Sequence, residues 1–115
     1  MAHAGQIVLF RFPQTNLIQG KLRPALIIGK TPGPFDDWLV CMISTQTQNQ
    51  VKGFDDIIAD TDTDFPKSGL KDSSVVRTGR LAVVDASMLL GSVGEIDTKR
   101  LTRIKKNLAD WLTQK

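Results

Sequence analysis

Cysteine and histidine are almost absent from this chain. Cys41 and His3 stand alone among 115 residues. With a single cysteine no intramolecular disulfide can form, which fits a reducing, cytoplasmic setting. Cys41 lies inside the apolar run Trp38-Leu39-Val40-Cys41-Met42-Ile43, where a free thiol is expected to be buried and inert. A cysteine nucleophile would need a histidine base, and the only histidine, His3, lies in the N-terminal tail. The same scarcity excludes paired Cys and His metal patterns, a Ser-His-Asp set and histidine acid–base chemistry. No phosphate-cradling glycine loop is present. No apolar run approaches the roughly 20 residues needed to cross a bilayer. The first six residues lack the charged start and long apolar stretch of a signal peptide. Asp60-Thr61-Asp62-Thr63-Asp64 opens like a calcium loop, but Phe65 and Lys71 then stand where the glycine and the bidentate glutamate belong. That segment reads as a solvated acidic loop. Any enzyme here must work with Arg, Lys, Ser, Thr, Asp or Glu.

What is present suits one domain spanning 1–115. Hydrophobic residues make up 41% and charged residues 23%, ordinary globular usage that argues against global disorder. The net charge of +3 is compatible with a polyanionic partner without requiring one. Ile7 to Phe12 reads as a strand ended by Pro13. Ala25-Leu26-Ile27-Ile28 is a second, entered through Arg23-Pro24, since proline is tolerated at the start of a strand. Pro32, Gly33 and Pro34 mark a turn, and Trp38 to Ser44 is a third strand, apolar enough to be covered on both faces. Phe54 to Ile58 is a weaker strand, Ala59 to Ser74 a long loop, and Ser74 to Val84 a strand interrupted at Thr78-Gly79. Asp85 suits the cap of a short helical turn, and Ser92 to Ile96 a last short strand. Leu101, Ile104, Leu108, Trp111 and Leu112 recur along one face of a helix capped by Asp97 or Thr98. Its other side carries Lys99, Arg100, Arg103, Lys105 and Lys106, which reads as a solvated face. Short strands followed by one helix predict a mainly β (α+β) fold, a small barrel or rolled sheet with a C-terminal amphipathic helix across it.

Polar chemistry meets strand ends in two places, Lys21-Leu22-Arg23-Pro24 and Ile43-Ser44-Thr45-Gln46. A third stretch, Ser68 to Arg77, joins a loop to a strand. Read from the residues alone, Arg23 could pair with a carboxylate at a strand end, and Ser44 and Thr45 could end a strand through local backbone bonds.

In order along nearly the whole chain, these segments resemble the MazF and PemK toxins of bacterial toxin–antitoxin pairs. Gly5-Gln6-Ile7-Val8-Leu9 with Phe12-Pro13 is similar to the family's opening strand. Gly20-Lys21-Leu22-Arg23-Pro24-Ala25-Leu26-Ile27-Ile28 is the most diagnostic piece. Ile43 to Gln46, Ser68-Gly69-Leu70-Lys71, Ser74-Val75-Val76-Arg77, Val84 to Leu89, Gly91 to Ile96 and the final helix follow. The resemblance implies an SH3-like barrel with a C-terminal helix, working as a cytoplasmic homodimer. It implies metal-independent endoribonuclease activity on single-stranded RNA, without a cofactor, blocked by a cognate antitoxin protein. Arg23 corresponds to the family's catalytic arginine. Ser44 stands where the family usually has a catalytic threonine, with Thr45 directly after it. RNA contacts are expected from Gln19, Lys21, Gln46, Lys71, Arg77 and Arg80. Two departures are plain. Ile18 occupies a position that is acidic in many members, and Ala82-Val83 replace the Arg-Thr that some carry.

The chemistry suits these side chains. RNA carries its own nucleophile, the ribose 2′-hydroxyl, so the protein need only align it and stabilise charge on the phosphoryl oxygens. A guanidinium offers a planar fork of donors matched to phosphate, and a hydroxyl can bond the same phosphate or relay a proton. Guanidinium is a poor base, so Arg23 is assigned to electrostatic stabilisation. Two other classes compete: a gyrase inhibitor like the related CcdB toxins, and a non-catalytic binding barrel. Fold alone does not separate them.

Overall fold

Strand-forming runs and one amphipathic period build a curled antiparallel sheet with a helix packed against it. The computed structural model describes residues 2–11 and 21–114. The strands are β1 (Gln6–Arg11), β2 (Leu22–Lys30), β3 (Asp37–Ser44), β4 (Asp56–Ile58), β5 (Ser74–Asp85) and β6 (Ser92–Glu95). Among the described residues two α-helices complete it, α1 (Phe65–Ser68) and α2 (Thr98–Thr113). The sheet order is β4-β5-β3-β2-β1-β6, and every neighbouring pair is antiparallel. This is a half-barrel, as the α+β expectation required. The long loop expected over Ala59 to Ser74 contains the short α1, which packs against β6, and so links the two edges of the sheet. The approach is close: a Cβ on Gly69 would collide with the Val93 carbonyl, and one on Gly94 with the backbone of Lys67 and Ser68. Gly69 also ends α1 in the left-handed conformation, φ 72°, which glycine adopts without a Cβ penalty.

Strand alternation sorts the apolar side chains onto two faces. Ile7, Leu26, Ile28, Cys41, Ile43, Ile58 and Val76 form one cluster, which Ile104 and Leu108 of α2 complete. Val8, Phe10, Ala25, Ile27 and Val40 form the other, packed by Ala2, Trp38 and Leu89. Covering both faces explains the unbroken apolarity of β3. Cys41 is fully buried, and burial pushes its thiol up to about 12, so it serves as core. Along α2 the expected stripe is buried at Ile104 and Leu108 but exposed at Trp111 and Leu112. Asp97 caps α2, its carboxylate accepting from Arg100 N at 2.8 Å, and Asp85 caps the turn Ala86–Met88 in the same way through Ser87 N. No described helix is long and apolar enough to cross a membrane.

Two expectations fail, for one reason. Arg100 does not belong to a solvated face, and the acidic loop is not merely solvated. Arg100 is only 6% exposed, because its guanidinium is enclosed by Asp56 at 2.6 Å, Asp62 at 2.7 Å and Asp64 at 2.9 Å. The Ile57 carbonyl accepts a further bond from it. Arg103 joins the group through Asp56 at 2.7 Å. A buried charge is tolerated only with such full pairing. The cluster ties α2 to β4 and to the loop before α1.

Candidate RNA-cleavage site

Antiparallel pairing gathers chain-distant segments at one end of the sheet. β2 begins there and β3 ends there. The last β2–β3 pair at that end is Ala25↔Met42. Counting two residues further along both strands puts Arg23 opposite Ser44. On its other side Ser44 pairs with Val75, and Arg23 pairs with Phe10 of β1. Opposed residues in an antiparallel pair share a face, so Arg23 and Ser44 lie on the same face as Phe10, Ala25 and Val40, away from α2. Lys21 precedes β2 and Lys71 lies in the loop before β5, so both stand at this end. Thr45 and Gln46 follow Ser44 directly.

The chemistry of the two central residues differs. Arg23 is exposed, and among the described residues no hydrogen bond or ion pair occupies its guanidinium. The alternative of a strand-end carboxylate partner therefore has no support in the described residues. Ser44 is half-buried and its Oγ accepts from Gln46 N at 3.0 Å. That local bond ends the strand, as the structural alternative foresaw, yet it uses only a lone pair. The hydroxyl proton remains available as a donor. Thr45 is exposed, with its carbonyl accepting from Thr47 N at 2.9 Å. The Gln46 side-chain carbonyl accepts from Gln48 Nε2 at 2.7 Å, which leaves its own amide donors free to face a ligand.

The remaining basic residues lie just before β5 and along it. Lys71 and Arg80 are exposed. Arg77 pairs with Met42 and so shares the face of Arg23 and Ser44. Its Nε lies 3.3 Å from a carboxylate oxygen of Asp55. The expected interruption at Thr78-Gly79 is a register shift: Cys41 pairs with Leu81, but the next residue, Met42, pairs with Arg77. Thr78, Gly79 and Arg80 bulge out between them. Gln19 and Ile18 lie outside the described residues. Of the two departures in β5, Ala82 is half-buried under the second core and Val83 is 58% exposed.

Sequence reasoning passed over Asp55. It is buried, and its two oxygens accept from Val51 N at 2.9 Å and Thr78 N at 3.0 Å. The one signal was an aspartate within the expected strand Phe54 to Ile58, next to a second aspartate, where an apolar residue was due. His, Cys, Asp and Glu side chains do not gather in threes into a metal-binding geometry among the described residues.

Comparison with known proteins agrees with this architecture. A crystal structure titled MazE–MazF (Form-II) from Deinococcus radiodurans superposes with a TM-score of 0.71 at 21% identity, covering 99% of this chain and 97% of that one. The Mycobacterium tuberculosis toxin MazF-mt6 gives 0.68 at 15% identity, covering 96% and 98%. An endoribonuclease in complex with its cognate antitoxin, from a mycobacterial species, gives 0.69 at 14% identity, covering 100% and 98%. These likenesses establish the fold. No functionally curated protein matches the sequence. The family model described as PemK-like, MazF-like toxin of type II toxin-antitoxin system matches residues 3–112, and the chain therefore belongs to that toxin family.

Proposed function

We propose that this chain is a cytoplasmic endoribonuclease toxin that cuts single-stranded RNA without a metal and is restrained by a cognate antitoxin. The reading is supported by an exposed arginine that has no partner among the described residues and stands two residues beyond Ala25 on β2, with a hydroxyl two residues beyond Met42, the partner of Ala25, on β3. Arg23 supplies a donor fork to the scissile phosphate. Ser44, its oxygen already fixed by Gln46 N, directs its proton to the same phosphate or to a departing oxygen. Thr45 is the second hydroxyl within the same turn. The 2′-hydroxyl of the substrate attacks in line, so a protein nucleophile is unnecessary. Lys21, Gln46, Lys71 and Arg80 extend the donor surface along the strand path, and Gln19, two residues before Lys21 in the sequence, is expected to add a further RNA contact.

Like its structural neighbours crystallised with antitoxins, this protein is expected to bind an acidic, disordered segment that competes with RNA for the cationic surface. That binding weakens with salt, because exposed charges are screened within about 8 Å at physiological ionic strength. The working unit is a homodimer, the commonest closed assembly, and light scattering at micromolar concentration checks it. The deciding experiment incubates purified protein with a long transcript in excess EDTA. Cleavage leaving a 2′,3′-cyclic phosphate is expected from the wild type and not from Arg23→Ala. Strict dependence on magnesium or manganese would remove the mechanism, and wild-type rates in Arg23→Ala would return that residue to a structural role.

A further inference from the structure

Asp55 is a buried carboxylate that the cleavage scheme above does not use. Its side chain is 2% exposed, yet it makes three contacts, with two segments around the candidate site. Oδ2 accepts from Val51 N at 2.9 Å, closing the turn that runs on from Ser44. Oδ1 accepts from Thr78 N at 3.0 Å, where the bulge of β5 begins. Arg77 Nε stands 3.3 Å from Oδ2.

The manner of the Arg77 contact matters. An arginine serving only to neutralise a buried carboxylate is expected to close on it through several hydrogen bonds, as Arg100 does. Arg77 instead approaches through Nε, keeps 25% of its side chain exposed and makes no hydrogen bond among the described residues. Its two terminal nitrogens therefore have donors to spare. Arg77 is also diagonal to Ser44, since Val75 is Ser44's partner and Arg77 lies two residues on. Diagonal neighbours on one face sit roughly 7–8 Å apart, within reach of a long side chain. Arg23, Ser44 and Arg77 thus lie on one face of three adjacent strands, β2, β3 and β5, with the hydroxyl in the middle.

We propose that Asp55 is a positioning residue for RNA cleavage, holding Arg77 so that its terminal nitrogens meet the scissile phosphate from the β5 side while Arg23 meets it from the β2 side. The inference rests on the ribonuclease reading above. By bonding Val51 N as well, Asp55 anchors the far end of the segment that runs on from Thr45 and Gln46. One carboxylate thereby couples both walls of the site.

The test uses the full chain and a single-stranded RNA oligonucleotide containing a mapped cut site. Asp55→Asn keeps the shape and one acceptor oxygen but removes the charge facing Arg77. It is expected to lower kcat by about 10- to 100-fold, the scale of a small misplacement of a catalytic group, with KM changed little. Arg77→Gln should lower kcat similarly, and the double variant should fall no further than Arg77→Gln alone, because both changes remove one coupled effect. Additive losses, or wild-type kcat in Asp55→Asn, would overturn the proposal. Should Asp55→Asn fail to fold, Arg77→Lys serves instead. It retains a cation beside Asp55 but lacks the Nε anchor and the fork, so kcat should fall while the melting temperature holds. Wild-type kcat in that variant overturns the proposal equally. A wild type that cuts no RNA fails the ribonuclease reading itself, whereas an active wild type with an equally active Asp55→Asn fails this inference alone.

Discussion

Two arginines in this molecule teach opposite lessons. Arg100 is buried, and the fold surrounds it with three carboxylates and a carbonyl. Arg23 is exposed, and no described residue engages its guanidinium. Both were visible as basic residues among apolar neighbours. The difference lies in what the fold brings to them. A side chain whose donors are all taken by the protein holds the protein together. One whose donors no described residue takes, at the end of a rigid sheet, is available for a ligand.

The contrast can be broken from the structural side first. Arg100→Ala leaves Asp56 and Asp64 buried without their main partner, a change that typically costs about 3–5 kcal/mol. For a domain of this size that corresponds to a fall in melting temperature of at least about 12 °C. Calorimetry on the variant checks it, and a shift of only a degree or two would show that the cluster is not structural. Replacing the whole cluster by packed apolar residues should cost far less, since forming a buried ion pair carries its own desolvation penalty.

From the other side, Arg23→Ala should reduce the cleavage rate by about 100- to 1000-fold, the usual loss when one charge-stabilising donor is removed. Its melting temperature should stay close to wild type. A variant equally active but markedly less stable would erase the distinction between the two arginines. Expressed alone, the wild type should arrest growth and Arg23→Ala should not.

A smaller effect is expected from the hydroxyls. Ser44→Ala removes a donor beside Arg23 and also the acceptor for Gln46 N, so it should lower the rate while costing about 1 kcal/mol of stability. Thr45→Ala disturbs no described side-chain bond. Measured side by side on one RNA, the pair identifies which hydroxyl meets the phosphate.

Acidity gives the mildest test. The Arg100 guanidinium holds the Asp64 carboxyl below its ordinary value of 3.8. A bond from Ala59 N, then Arg100, holds Asp62 below the same value. Folded-state values lowered in this way mean that the unfolded chain binds protons more readily. The stabilisation is complete above 3.8 and is lost as pH falls through the folded values. Thermal stability should therefore decline as the pH falls below about 4, and Asp64→Asn, weaker at neutral pH, should decline less.

Much of this was legible in the residues. Alternation marked the strands, the three-four spacing marked α2, and Asp85 and Asp97 announced their caps. Arg23, Ser44 and Thr45 could be singled out because each stands where an apolar strand meets polar sequence. Hidden were the features that join distant segments. Arg100 reaches Asp64 across 36 positions and Asp56 across 44, and periodicity along one helix says nothing of what lies opposite. Helical spacing therefore assigned Arg100 to the solvent side. Local composition likewise made Asp64 look like a solvated loop. Asp55 escaped notice because its three partners are backbone groups and an arginine brought together only by the sheet.

The Arg100 cluster has a consequence for the order in which the protein is made. All six strands precede α2 in the chain. While the sheet is leaving the ribosome, Asp56, Asp62 and Asp64 lack Arg100 and Arg103, the arginines that gather them in the folded protein. The edge formed by β4 and the loop before α1 cannot settle until α2 has followed. Domains that depend on such distant contacts fold slowly and late. The nascent chain should thus remain without its finished sheet edge, and open to proteases, until the helix that supplies the arginine has emerged.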